Sequence, residues 1–227
     1  MDDVISSGQL DAVPLFPLPN VVLFPRAVLP LHIFEERYKA MTADALEGDR
    51  QVAMALLRPG WEKDYYGKPA IEPVVCVGTI LSCERLPDGK YNFLLQGHTR
   101  ARIVREHGKR PYRVAQLQPL PISDVLEIDL TNHRLRLVEL FTADVFAQTA
   151  LAPQFRQLLN GPTKTADIAD LLAFSYFEDV ALKQSLLAEG DVLHRVERTI
   201  AHLESLRPWV RSVRPARRSS GRPPSSN

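Results

Sequence analysis

Cysteine is nearly absent: 227 residues carry two, Cys76 and Cys83. Two cysteines exclude a disulfide framework. They are not spaced as C-x-x-C, and no His pair at zinc-finger spacing lies nearby, so no structural zinc site is expected. Both fall in a strand-like run and read as buried free thiols. The start lacks the basic segment of a secretory signal, since Asp2 and Asp3 occupy that place. No membrane-length apolar run survives inspection. The stretch from Leu10 to Leu31 is long enough, but it holds Pro14, Pro17, Pro19, Pro25 and Pro30 together with Asp11 and Arg26. These absences point to a reduced, soluble, cytoplasmic protein with no membrane partner.

Chemistry is also missing. There is no Gly-x-Ser-x-Gly elbow, no His-Glu-x-x-His and no Gly-x-x-x-x-Gly-Lys-Ser/Thr. Gly161-Pro-Thr-Lys164-Thr165 imitates the last, but Thr163 stands where glycine is needed and Pro162 offers no N–H to a phosphate. Glu35 and Glu36 are adjacent on a predicted helix and diverge by about 100°, which suits a solvated face better than an acid/base pair. His194 and His202 lie two helical turns apart, too far for one metal, and His98 beside Gly97 reads as a polar turn residue. No cofactor and no catalytic residue is expected.

What is present is an ordinary globular composition, 45% hydrophobic and 24% charged. The net charge of +1 conceals an asymmetry. From Arg207 to Asn227 there are six Arg and no acid, which leaves the body with 22 basic against 27 acidic residues, about −5 net. A body of that sign is a poor general nucleic-acid binder.

The chain changes character near residue 120. Before it, short apolar runs alternate with turn signals. Val13-Pro-Leu-Phe-Pro-Leu-Pro-Asn-Val-Val-Leu-Phe-Pro25 must be extended, in strands that are short or at edges. Phe34, Tyr38, Met41 and Ala45 share one helical face, with Gly48 as its stop. Strands are expected at Gln51 to Leu57, Val75 to Glu84, Tyr91 to Leu95, Arg100 to Arg105 and Tyr112 to Leu117. Asp88-Gly89 marks a hairpin, and Gly97 an interruption. About six strands with one inserted helix suggest a small, partly closed β-barrel.

After it, spacing is helical. One long helix is expected from Leu130 to about Thr149. A short one opens at Pro153 and stops at Asn160-Gly161-Pro162. A third is capped by Thr165, and a fourth runs from about Glu178 to Glu189. Asp191 caps the last, whose face is Leu193, Val196, Ile200 and Leu203. The division is therefore 1–120 β-rich, 121–206 a helical bundle, and 207–227 a disordered basic tail.

These residues resemble the N-terminal domain of Lon protease. The similarity lies in Pro14-Leu-Phe-Pro-Leu-Pro-Asn-Val-Val-Leu-Phe-Pro25 with Leu29-Pro30-Leu31, and in Val77-Gly78-Thr79-Ile80. It continues in Leu86-Pro87-Asp88-Gly89 and Gly97-His-Thr-Arg100-Ala-Arg102-Ile103. In the helical half it lies in Ala166-Asp167-Ile168-Ala169-Asp170 and Lys183-Gln184-Ser-Leu-Leu187 with Arg195. It spans about residues 12–206. The resemblance implies an α+β fold, with a PUA-like barrel carrying a helix and then a bundle. It also implies recognition of protein substrates without chemistry. In a full Lon protease an ATPase and a Ser-Lys peptidase follow, and nothing here matches them. The implied protein is a stand-alone substrate-binding LON module and not an enzyme.

Two sites compete on the residues themselves. Residues 58–74 form a long loop with three large aromatics. Arg58, Trp61, Tyr65 and Tyr66 suit the grip of an apolar peptide, or the rings pack back onto the barrel. Arg100, Arg102 and Arg105 suit an anion or RNA contact, since PUA-like folds include RNA binders, or they pair with the acidic body. Phe16, Phe24 and Phe34 read as core. The expected partners are unfolded or partner protein segments and an ATP-dependent protease, with nucleic acid disfavoured. A monomer or weak dimer with an adaptor or quality-control role follows, and an RNA-binding PUA-like protein is the alternative.

Overall fold

The computed structural model describes residues 10–64 and 67–212. Six strands and six helices follow in order. They are β1 (Leu10–Leu18), β2 (Val28–Ile33), α1 (Glu36–Glu47), β3 (Gln51–Leu56), β4 (Val74–Arg85), β5 (Tyr91–His107) and β6 (Arg113–Pro119). The helices α2 (Thr131–Thr142), α3 (Ala152–Asn160), α4 (Thr165–Tyr176), α5 (Val180–Leu187) and α6 (Val192–Ser212) complete the chain. The fold is α+β, as expected.

The sheet closes on itself. Its order is β2-β5-β4-β3-β1-β6, and β5 also pairs with β6. Five strands therefore make a ring, and β2 is appended outside it. The device is the length of β5. It pairs with β2 over Tyr91–Gln96 and with β6 from Ala101 onward, while β4 holds its other edge. The strand does not end at Gly97, but its pairing with β4 slips there, since Gly78 pairs with Gly97 and Val77 with Thr99. Glycine is required there for another reason. A Cβ on Gly97 would lie 2.3 Å from the Phe24 carbonyl oxygen and 2.9 Å from Cys76 Sγ. The strand hydrogen-bonds at this point to the chain entering β2, with Gly97 N–H to Ala27 O at 2.9 Å and Arg26 N–H to Gly97 O at 2.7 Å.

The prolines of β1 do not confine it to an edge. It runs between β3 and β6, but in stagger. Val13 to Leu15 pair with β6 and Leu15 to Leu18 pair with β3. Pro14 and Pro17 thus each stand where β1 is paired on one side only, so neither missing N–H breaks a ladder.

The core has two parts. Inside the ring lie Val13, Leu15, Ala53, Ala55, Val75, Val77, Ala101, Ala115 and Leu117. Four alanines in that set fit the narrow bore of so small a barrel. The larger core begins on the outside of the ring beneath α1 and continues without a gap through the bundle to Leu203. In the bundle, Phe141, Phe146, Phe155 and Tyr176 pack with centroids 5.4–5.7 Å apart.

Four helical expectations need correction. The long helix stops at Thr142, because Asp144 turns extended and its carboxylate accepts from Val145 N–H. A short side chain that satisfies local backbone competes with the helix. Thr165 is the first residue of α4 and not its cap, which is Lys164. The Thr165 N–H and hydroxyl bond the Glu127 carboxylate instead. Val192, not Leu193, lies on the buried face of α6. That helix also continues past Arg207 to Ser212, beyond the point where a tail is predicted to begin. The remaining arginines of that segment lie outside the described residues. Phe34 is the one aromatic misplaced: it precedes α1 and is 60% exposed, whereas Phe16 and Phe24 are core.

Cys76 and Cys83 are unpaired, and Cys76 is fully buried. Burial pushes the Cys76 thiol up to about 12. A thiol-reactive probe at neutral pH is therefore expected to leave Cys76 unmodified in the native protein and to label it only after denaturation. Native labelling of Cys76 at the rate of a free thiol would contradict this packing.

Candidate functional site

The longest loop leaves the ring between β3 and β4. Its stems are zipped: Arg58 N–H bonds Ala70 O at 2.9 Å, Glu72 N–H bonds Leu56 O at 2.8 Å, and Leu57 bridges Ile71. An ion pair, Arg58 Nε to Glu72 Oε1 at 3.2 Å, crosses the same neck. Above it a single 3₁₀ turn, Trp61–Asp64, turns the indole, half-buried, toward the bundle. Tyr65 and Tyr66 lie outside the described residues.

Between this loop and α5 runs an apolar groove of about 590 Å³, within the range of ligand-sized clefts, roughly 300–1,000 Å³. Pro19, Pro59, Trp61 and Pro73 line it from the β side, and Val180 and Ala181 of α5 with the C-cap Ala188 from the other. Positions 180, 181, 184, 185 and 188 fall on one helical face, and small side chains there keep α5 from filling the space. Three polar residues also line the groove, Glu72 at the loop neck and Gln184 and Ser185 on the helical side. Gln184 donates its amide N–H to Val74 O at 2.8 Å. Ser185 donates to Leu182 O and accepts from Arg198 Nη2 at 2.7 Å. Of the four residues predicted for peptide contact, Trp61 faces the groove and Arg58 stands at its neck. The α5 wall was not anticipated. Its signal is the run of small residues at helical spacing.

The strand arginines are not brought together. Arg100 is buried at the seam between ring and bundle, with Nη2 donating to Asp170 Oδ1 at 2.6 Å and Nε to Leu187 O at 3.1 Å. Arg195 Nε reaches the same Asp170 oxygen at 3.1 Å, and its Nη1 donates to Glu189 O at 2.9 Å. Burial draws the Arg195 guanidinium below its usual range. Arg102 is exposed, and Arg105 Nε donates to Gln116 Oε1 at 3.0 Å. Arg100 is thus withdrawn from any surface contact.

The segment that imitates a phosphate loop is turned the other way. Carbonyls of Leu158, Leu159, Gly161 and Thr163 all accept from Arg134, so oxygens, not N–H donors, face its centre. His98 bonds Thr99, His194 bonds Glu189, and His202 meets the Phe177 ring edge to face with centroids 4.3 Å apart. Among the described residues, no three His, Cys, Asp or Glu side chains are placed to hold a metal ion, and no helix is long and apolar enough to cross a membrane.

Comparison with known proteins places this geometry. The family model described as the ATP-dependent protease La (LON) substrate-binding domain matches residues 12–205. The Lon protease of Azorhizobium caulinodans is 26% identical over 203 residues, 87% of this chain and 23% of that one. The Lon protease of Escherichia coli K12 is 27% identical over 198 residues, 85% of this chain and 24% of that one. The chain thus spans about a quarter of the length of these relatives. In structure it resembles the N-terminal domain of Mycobacterium avium complex Lon protease, with a TM-score of 0.67 at 18% identity, covering 85% of this chain and 98% of that one. It also resembles a Lon N-terminal domain protein from Xanthomonas campestris, with a TM-score of 0.60 at 24% identity and the same two coverages.

The two neighbouring arginines of β5 have opposite energetic roles. Arg100→Ala leaves the Asp170–Arg195 pair balanced but takes the donor from the buried Leu187 carbonyl, and is expected to cost about 1–3 kcal/mol. Arg102→Ala is expected to stay within about 0.5 kcal/mol of wild type. Urea unfolding of both variants checks this, and equal losses would contradict it.

Proposed function

The chain belongs to the LON substrate-binding domain family, and from that premise we propose that it is a non-catalytic module that recognises protein segments. Binding is by apolar contact to exposed stretches of unfolded or partner proteins, without ATP. The role is that of an adaptor or quality-control factor that delivers such segments, with an ATP-dependent protease as the partner it serves. The single observation that carries this reading is the groove at the seam. An indole, three prolines and small aliphatic side chains leave room for an extended chain and offer it few polar groups to satisfy. An extended apolar segment gains by desolvation there, at about 25 cal/mol for each Å² of apolar surface removed from water.

Two features weigh against recognition of RNA. The body is acidic in net charge, and Arg100 is spent inside the fold. The two functions separate by salt, because phosphate contacts weaken steeply as salt rises and apolar contacts do not.

The test is anisotropy binding of the full chain to an unfolded model protein and to a mixed RNA pool, at low and high salt. Unfolded protein is expected to bind at both salt levels. Trp61→Ala and Val180→Lys, which alter opposite walls, are each expected to weaken it at least fivefold, the effect of losing roughly 1 kcal/mol at an interface anchor. Salt-sensitive capture of RNA with no affinity for unfolded protein would overturn the proposal in favour of the RNA-binding alternative.

A further inference from the structure

On the other side of the same loop is a smaller pocket of different chemistry, about 120 Å³ in volume. Arg37, Lys68, Arg110 and Arg113 line it, with Tyr38 and Tyr112 between them, and no Asp or Glu is among the lining residues. The four cations arrive from three directions: Arg37 from α1, Lys68 from the loop, and Arg110 and Arg113 from the β5–β6 turn and the first residue of β6. Carboxylates stand behind the guanidiniums and aim them. Glu35 accepts from Arg37 Nε at 3.0 Å, Asp44 accepts from Arg110 Nη1, and Glu106 accepts from Arg113 Nε at 2.7 Å. Arg113 Nη1 is further tied to Pro69 O at 2.6 Å.

Arg113 is tied at all three nitrogens, since its Nη2 also donates to Glu106, whereas Arg110 keeps donors in reserve. A guanidinium has five N–H donors, and the bonds of Arg110 are both made by Nη1. The three arginines are each paired with a carboxylate, and the Asp64 carboxylate lies against Gly67 at the rim of the same pocket. Lys68 is exposed and has no ion-pair or hydrogen-bond partner among the described residues. Cations converging from several directions suit a tetrahedral oxyanion better than a planar carboxylate, and arginine clusters are a general solution for phosphate.

We infer that this pocket is an oxyanion site that takes the phosphate monoester of a phosphorylated side chain on a bound protein segment. The volume admits a phosphate group but not a nucleobase beside it, and the acidic body repels a polyanionic strand. Leu57 lines both this pocket and the apolar groove, so one segment can engage both. The protein source of the phosphate rests on the protein-binding proposal above, whereas the oxyanion pocket does not.

The experiment uses an apolar peptide with one serine, in phosphorylated and unphosphorylated forms, with inorganic phosphate as competitor and a single-stranded RNA as the second arm. The phosphopeptide is expected to bind the full chain at least tenfold more tightly than its twin at low salt. Inorganic phosphate is expected to remove that advantage. The double variant Lys68→Ala/Arg110→Gln is expected to abolish it while leaving the unphosphorylated peptide unaffected, and Lys68→Glu to reduce it alone. Both positions are on the surface, and Arg102→Gln serves as the control that keeps the advantage. Equal affinity for the two peptides, an advantage that persists in the double variant, or capture of RNA without phosphopeptide would each overturn the inference. A phosphate advantage with no binding of the unphosphorylated twin counts against the groove and supports the pocket. Binding of neither peptide overturns both.

Discussion

The architecture depends on one buried charge cluster. Asp170 of α4 receives Arg100 from β5 and Arg195 from α6, and all three side chains are almost wholly buried. Two guanidiniums against one carboxylate leave an excess positive charge, which would be costly in an apolar seam. The balance comes from the end of α5. Arg100 Nε donates to Leu187 O, at the negative end of that helix, and Arg195 Nη1 donates to Glu189 O two residues beyond it. A buried pair of this kind is weak evidence for stability, since desolvation offsets much of the attraction. Its consequence is geometric. The cluster ties β5, α4, α6 and the end of α5 to one point, so the bundle meets the ring in one orientation.

The groove follows from that orientation. Its β wall is the neck of the loop between β3 and β4, and its helical wall is α5. Gln184 of α5 holds Val74 of β4 directly beneath. Neither wall makes a cleft alone. The ring interior is filled by alanine, valine and leucine, and the bundle interior is packed by its aromatic cluster. The recognition we propose is therefore assigned to the seam and to the loop that overhangs it, where an apolar surface lies on one side and a cationic pocket on the other.

Much of this was legible in the chain. The hairpin at Asp88-Gly89 closes as its residues dictate, with Gly89 at φ 80° and Leu86 N–H bonded to Lys90 O. Gly48 and Gly161 end helices and Asp191 starts one, because caps are local chemistry. What failed was set by distant partners. Gly97 reads as a break until β4 and the chain before β2 are seen to press on it from both sides. Phe34 fits the period of α1, yet the helix begins two residues later. Arg100 and Arg102 are equivalent in sequence, and only the position of Asp170, seventy residues away, separates them. The α5 wall was missed for a related reason: small residues at helical spacing mark a groove only once something is found opposite them.

The central claim is that the Asp170 cluster sets the position of α5 and so makes the groove. The direct measurement is hydrogen exchange, peptide by peptide, on Asp170→Asn, a substitution that keeps the shape and removes the charge. The account predicts lost protection in α5 and at the start of β4 while β1, β3 and β6 of the ring keep theirs. Unchanged protection in α5, or a loss spread evenly over ring and bundle, would contradict it.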